Sequence, residues 1–191
     1  MHFTGVADAE RVRRAYAEKN LRAVVHPFFS EMELALGAAT VAVSRAGASS
    51  LAELAAMRVP SVQMPFPAAT DNHQLFNARA FAETGAAQLL EQKNATPDLL
   101  VGLVSELIAN AAAREKMQAA LAKWHAPKAA EEIAEMILRA VGVTEVKSSK
   151  SQAPSSSESS SSKHQVVLPT EAPGIWMLAL LWSLELGAWN L

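Results

Sequence analysis

The sequence predicts an α/β fold, a Rossmann-like parallel sheet with helices on both faces. The first observation is that apolar runs of roughly four to eight residues alternate with helical patterns of roughly ten to fifteen residues. The second is composition, because 50% of the 191 residues are hydrophobic, which is enough for a packed core in one domain with an appendage.

The elements follow one another through residues 1–142. The apolar runs predict strands at 2–4, 21–29, 40–44, 59–66 and 86–92. The helical patterns lie at 7–20, 30–39, 50–58, 72–85, 96–110, 113–125 and 128–142. Start and stop signals support three of these helices: Ser30 with Glu33 forms an S-x-x-E capping pattern, Thr96 precedes Pro97 at a first helical position, and Gly85 ends a helix.

The composition changes near Lys147. Ten of the fifteen residues from Ser148 to Ser162 are serine, so we expect a disordered, flexible linker over 143–172. The apolar tail over 173–191 contains three tryptophans and one acid, and it is slightly short for a spanning helix. Two interpretations stay open for it, a poorly ordered tail or a membrane-surface anchor.

Composition and motifs exclude several function classes. The formal net charge is −2 without a basic cluster, so no nucleic-acid partner is expected. Cysteine is absent, the five histidines form no H-x-x-x-H pair, and the three aspartates form no D-x-D, so we expect neither a metal site nor another cofactor. Neither a G-x-S-x-G elbow nor a P-loop occurs.

The stretch "SRAGASSLAE" (44–53) follows a predicted strand and opens a helix. Ligands of open parallel sheets bind beyond the carboxyl ends of the strands, and the free amides at a helix start favour an anion such as phosphate. The alternative is purely structural, because Ser50 and Glu53 also match a capping box. Arg45 could help to neutralise a diphosphate, but a loop arginine is more often solvated or structural.

A second polar turn follows the next strand, in "VPSVQMPFPAATDNHQLFNA" (59–78). Its loop is bracketed by prolines and ends in Asp71, Asn72, His73 and Gln74 at another helix start. Because the strands are parallel, we expect this loop to open on the same edge as the first. Amides and a hydroxyl for a diphosphate, a carboxylate for ribose and polar side chains for sugar hydroxyls together suit a sugar nucleotide.

The text "SRAGASSLAELAAMRVPSVQMPFPAATDNHQLFNARAFAETGAA" (44–87) resembles the donor-binding domain of MurG-type peptidoglycan N-acetylglucosaminyltransferases. These are family 28 enzymes of the two-domain GT-B fold, and the resemblance covers residues 1–142. It implies a donor (UDP-sugar)-binding domain that is truncated at its N-terminus, because the family's acceptor domain and first glycine-rich loop have no counterpart here. The catalytic base is expected in that missing domain, so the isolated chain is expected to be inactive.

Carried over by position, the resemblance implies seven substrate-binding residues. The backbone of Phe29 would meet the uracil, Ser50 would donate its hydroxyl to the diphosphate, and Glu53 would hold the ribose hydroxyls. Family members often carry leucine in place of Ser49 and can carry glutamine in place of His73, so His73 is expected to form hydrogen bonds rather than to act as a base. The full set is Phe29, Ala48, Ser49, Ser50, Glu53, His73 and Gln74.

The implied activity is transfer of N-acetylglucosamine from UDP-N-acetylglucosamine to a lipid-linked muramyl-pentapeptide, at the cytoplasmic face of the cell membrane. The acceptor would be bound through a missing domain or a partner chain. Two alternatives stay open: the donor half of a split lipid-linked N-acetylglucosaminyltransferase that needs a membrane partner, and an inactive UDP-binding remnant.

Overall fold

A computed structural model describes residues 1–142 and 177–180 and confirms the predicted α/β fold. The strands form one parallel sheet in the order β2-β1-β6-β3-β4-β5. They are β1 (His2–Phe3), β2 (Val25–His26), β3 (Val41–Ser44), β4 (Ser61–Gln63), β5 (Gln88–Leu89) and β6 (Met177–Leu180). The helices are α1 (Ala9–Glu18), α2 (Met32–Ala38), α3 (Ala48–Met57), α4 (His73–Glu83), α5 (Pro97–Ala109), α6 (Ala111–Leu121) and α7 (Ala129–Ala140).

Strand β3 lies in the middle of the buried core. Successive strand residues point to opposite faces of a sheet, and those of β3 separate accordingly between two apolar clusters. Val41 and Val43 pack in a cluster with residues of α5 and α6, whereas Ala42 packs in a second cluster with residues of α2 and α3. Within the described residues, helices therefore cover both faces of the sheet.

The predicted helix starts are partly confirmed. The Thr96 hydroxyl accepts from the Leu99 amide at 3.2 Å, with Pro97 in the first turn, as predicted. The Ser30 prediction is wrong, because α2 is preceded by Glu31 and has no side-chain cap. The run over 21–29 is also a shorter strand than predicted: only Val25–His26 pairs, and the residues before it are exposed.

The sequence did not predict β6, which pairs in parallel with β1 on one side and β3 on the other. The predicted linker over 143–172 and most of the apolar tail lie outside the described residues. Helix α7 belongs to a second unit, which begins at Pro127. Among the described residues, no helix combines the length and apolar character that a membrane span requires.

His2 is expected to make the free energy of unfolding depend on pH. Its Nδ1 atom lies 3.2 Å from the Tyr16 hydroxyl, and burial, reinforced by the N-terminal charge, lowers the pKa of His2 to about 4. The unfolded chain therefore binds more protons than the folded one between about pH 4 and pH 6.5. We expect the free energy of unfolding to fall by about 2 kcal/mol from pH 7 to pH 4, after allowance for partial exposure of the ring.

Denaturant titrations of the wild-type protein and of His2→Gln at several pH values measure this effect. The variant should lose most of that pH dependence, because glutamine does not titrate. Equal slopes in the two proteins would assign the acid sensitivity to other groups.

Candidate functional site

The candidate site lies at the carboxyl edge of the sheet. Because all the strands are parallel, the segments that follow β2, β3 and β4 leave the sheet at this edge. Phe29 follows β2, residues 45–47 follow β3, and residues 64–72 follow β4. The sequence-predicted residues therefore lie in or just after three connections at one edge of the sheet, with β1 and β6 between the first connection and the other two.

Helix α3 begins with amides that have no hydrogen-bond partner among the described residues. Gly47 is its N-cap in an extended conformation, with φ −68° and ψ 145°, and no side chain caps the helix. The first helical hydrogen bond runs from the Leu51 amide to the Gly47 carbonyl, at 3.0 Å. The amides of Ala48, Ser49 and Ser50 therefore have no helical acceptor and can donate to an anion.

The capping-box interpretation of Ser50 and Glu53 is wrong. The helix begins two residues before Ser50, so this serine lies in the first turn and does not occupy the N-cap. Glu53 lies three positions later, on the same face of the helix, and is exposed. Within the described residues no hydrogen bond or ion pair occupies its carboxylate, which leaves it available to a ligand.

The loops after β3 and β4 are joined by direct hydrogen bonds. Arg45 Nη1 donates to the Met64 carbonyl at 3.0 Å and to the Pro65 carbonyl at 3.3 Å. In the opposite direction, Asn77 Nδ2 of α4 donates to the Ala46 carbonyl at 3.1 Å. The two turns therefore meet at a common rim, as their positions in the sequence predicted.

Arg45 places a buried positive charge at this rim. Only 7% of the residue is exposed, its guanidinium lies 5.5 Å from the centre of the Phe66 ring, and burial lowers its pKa below the usual arginine value. Among the described residues no carboxylate pairs with it, and its Nε atom has no hydrogen-bond partner. Its positive charge is therefore not cancelled by an ion pair within the described structure.

The first two residues of α4 present polar atoms beside these loops. Gln74 Oε1 accepts from the Phe66 amide at 3.0 Å, while the Gln74 amide nitrogen has no partner among the described residues. His73 Nδ1 lies 2.7 Å from the Thr70 carbonyl. Because a carbonyl only accepts, Nδ1 carries the hydrogen and neutral His73 presents Nε2 as an acceptor. One donor group and one acceptor thus stand at the start of α4.

Phe29 is held by its ring, and its backbone is free. The ring centroid lies 5.4 Å from that of Phe3 and 5.1 Å from that of His26. Neither the amide nor the carbonyl of Phe29 forms a hydrogen bond within the described residues. A fixed side chain with unpaired backbone groups suits recognition of a flat polar ring.

The structure adds detail at two residues of the site. For Arg45 the sequence left a solvated, a structural or a diphosphate-neutralising role open; the residue is buried and connects the two turns, which excludes the solvated role and agrees with the structural one. Asn77 received no role, although it fixes the first turn from α4. Both positions stand in the quoted motif, as S-R-x-G and as the N-A that follows D-N-H-Q, so their place in the motif was the available signal.

Comparison with known proteins identifies the family of this domain. The glycosyltransferase family 28 C-terminal domain matches residues 1–133. The chain is 38% identical over 135 residues to the UDP-N-acetylglucosamine--N-acetylmuramyl-(pentapeptide) pyrophosphoryl-undecaprenol N-acetylglucosamine transferase of Anaeromyxobacter sp. (strain Fw109-5), covering 71% of this chain and 35% of that protein. The enzyme of the same name from Nitratidesulfovibrio vulgaris (strain DSM 19637 / Miyazaki F) is 50% identical over 97 residues, which is 50% of this chain and 25% of that enzyme.

A solved structure extends the comparison to three dimensions. The crystal structure of Acinetobacter baumannii MurG is similar with a TM-score of 0.65 and 31% sequence identity, over 71% of this chain and 41% of that one. The chain thus spans about a third of the length of the first curated relative, which is 35% covered. Since the family match extends over most of residues 1–142, the chain belongs to the glycosyltransferase family 28 C-terminal domain family.

Proposed function

We propose that residues 1–142 bind UDP-N-acetylglucosamine as the donor half of an inverting N-acetylglucosaminyltransferase. The whole enzyme would transfer the sugar to a lipid-linked muramyl-pentapeptide at the cytoplasmic face of the membrane. The observation that carries the proposal is the rim itself. Helix α3 provides amides at its start and the Glu53 carboxylate, all without partners among the described residues, and the loop before α3 is bonded to the loop before Gln74. The names of the relatives, which are N-acetylglucosamine transferases, support the choice of sugar.

In this proposal each group contacts a different part of the donor. The amides of Ala48, Ser49 and Ser50 with the Ser50 hydroxyl would hold the diphosphate, and Glu53 would accept hydrogen bonds from the ribose hydroxyls. On the sugar, Gln74 would donate its amide nitrogen and His73 would accept at Nε2. At the other end of the site, the free backbone of Phe29 would pair with uracil.

In this proposal the domain supplies leaving-group stabilisation. Negative charge grows on the diphosphate as the bond to the anomeric carbon breaks, and preorganised amides aimed at that charge lower the barrier. Inversion also needs a base that deprotonates the acceptor hydroxyl. We assign no base within residues 1–142, so UDP binding rather than turnover is the direct test of this half.

The Ser50 hydroxyl offers that test. Removing a hydrogen bond to a charged group costs about 1.5–3 kcal/mol, so Ser50→Ala should weaken UDP binding by about tenfold or more. Uridine should bind the variant as it binds the wild-type protein, because uridine lacks the diphosphate. Calorimetric titration with both ligands measures the difference.

Ser49→Ala is the matched control. Ser49 is proposed to act through its backbone amide, so loss of its hydroxyl should leave both affinities unchanged. If Ser50→Ala weakened uridine as much as UDP, the diphosphate would lie elsewhere. Absence of UDP binding by the wild-type chain would overturn the proposed function itself.

A further inference from the structure

The position of β6 in the sheet does not follow from its place in the chain. In doubly wound folds of the strand order 3-2-1-4-5-6, the strand between the second and the fourth is the first in sequence. Here β2 and β1 lie on one side of β6, and β3, β4 and β5 follow on the other, in that same pattern. Strand β6 therefore occupies the first-strand position although it lies near the end of the chain.

The register shows that β6 lies between β1 and β3 and is aligned with all four residues of β3. His2 of β1 is aligned with Ala179, and the four residues of β3, from Val41 to Ser44, are aligned with Met177 to Leu180. In the observed sheet β1 and β3 are not paired with each other. Without an occupant, each would present a row of unpaired backbone groups, which is a template for another strand.

We propose that the slot between β1 and β3 is a strand-binding groove, and that residues 177–180 of the same chain are its internal donor strand. Extended segments commonly complete sheets in this way, with main-chain hydrogen bonds providing the affinity. Thirty-four residues separate Gly142 from Met177, a chain length that is sufficient to reach across a small domain.

Because the strand and the slot belong to one chain, their pairing can be intramolecular. A segment attached by a linker of matching span has an effective concentration up to the millimolar range, above the concentration at which the protein would be studied. The chain's own strand therefore outcompetes the same strand of a second copy.

The donor strand has a consequence that rests on the proposed function. Strand β6 is the hydrogen-bonded connection between the β1–β2 side of the sheet, which carries Phe29, and the β3–β4 side, which carries Glu53 and Gln74. The position of β6 in the sheet therefore sets the distance between Phe29, the proposed uracil contact, and Glu53 and Gln74, the proposed contacts to ribose and sugar. Residues 177–180 thus position the two ends of the donor site without touching the donor.

A disulfide trap tests the strand directly, because the wild-type chain has no cysteine. Val43 and Ala179 are aligned partners, and neighbouring strands lie about 4.8 Å apart, within the range that a disulfide spans. We expect Val43→Cys/Ala179→Cys to form an intramolecular disulfide quantitatively on mild oxidation. The control pair Val43→Cys/Ala188→Cys, with the second cysteine beyond the strand, should cross-link at least about tenfold less, in proportion to its lower effective concentration.

Two outcomes overturn the proposal. Equal cross-linking in the two pairs would mean that β6 has no fixed register. Disulfide-linked dimers in place of intramolecular bonds would assign the groove to a second copy of the chain.

A proline substitution tests the consequence for the site. Ala179→Pro removes a ladder hydrogen bond in a central strand, and amide exchange in Val41–Ser44 should accelerate by about a hundredfold. UDP affinity should fall by about tenfold, as for one lost charge-assisted contact. Ala188→Pro is the control and should alter neither.

The readouts separate the two claims. If the disulfide forms and Ala179→Pro leaves UDP affinity unchanged, the positioning role is wrong and the donor strand stands. If the disulfide forms and the wild-type chain does not bind UDP, the proposed function is wrong and the donor strand again stands.

Discussion

Glu53→Ala is expected to weaken UDP binding by tenfold or more while leaving the fold unchanged. The carboxylate is exposed and, among the described residues, has neither a hydrogen bond nor an ion pair, so its removal breaks no internal contact. A ribose presents two neighbouring hydroxyls to the two carboxylate oxygens, and each charge-assisted hydrogen bond is worth about 1.5–3 kcal/mol. Calorimetric titration with UDP gives the affinity, and thermal unfolding reports on the fold.

Two further variants make the Glu53 result specific. Glu53→Gln keeps one acceptor oxygen and loses the charge, so its UDP affinity should lie between those of the wild-type protein and Glu53→Ala. Glu106→Ala removes an equally exposed carboxylate from α5, and it should bind UDP as the wild-type protein does. Wild-type affinity in Glu53→Ala would leave the carboxylate without a role, because the helix start already excludes capping.

Local signals predicted those parts of the site that depend on neighbouring residues. In "SRAGASSLAE", glycine and small residues follow β3 and precede an apolar helical pattern. This pattern predicted free amides at a helix start. The parallel arrangement then placed the loop after β4 on the same edge. The first residue of α3 was not predicted, because serine and glycine both suit an N-cap and glutamate suits a capping box. In the structure the N-cap is Gly47.

Long-range pairing was not predictable in the same way. Whether "MLAL" in the tail forms a strand depends on an open slot between β1 and β3, and nothing within those four residues specifies it. The burial of Arg45 is a similar case, since the acceptors that hold it are carbonyls nearly twenty positions away in Met64 and Pro65. Backbone acceptors carry no side-chain signature, so a sequence pattern cannot identify them as partners.

Arg45→Met is expected to lower the free energy of unfolding by about 2 kcal/mol and to weaken UDP binding. Methionine keeps apolar bulk beside Phe66, but the carbonyls of Met64 and Pro65 lose their donor, and a buried unsatisfied polar group costs about 1–3 kcal/mol. The loss also weakens the connection between the loops after β3 and β4, where the Asn77–Ala46 hydrogen bond remains. Denaturant titration and UDP calorimetry on the same variant measure the two effects.

Arg79→Met provides the matched control for Arg45. Arg79 is half exposed and lies 3.6 Å from Glu91, and exposed ion pairs of this kind contribute at most about 1 kcal/mol. Both its stability and its UDP affinity should therefore stay close to wild type. Arg45→Lys separates the two roles of Arg45, because lysine restores a positive charge but not the planar fork that can serve two carbonyls. Recovery of UDP affinity without recovery of stability in Arg45→Lys would assign Arg45 to charge near the diphosphate, whereas recovery of neither would assign it to holding the two loops together.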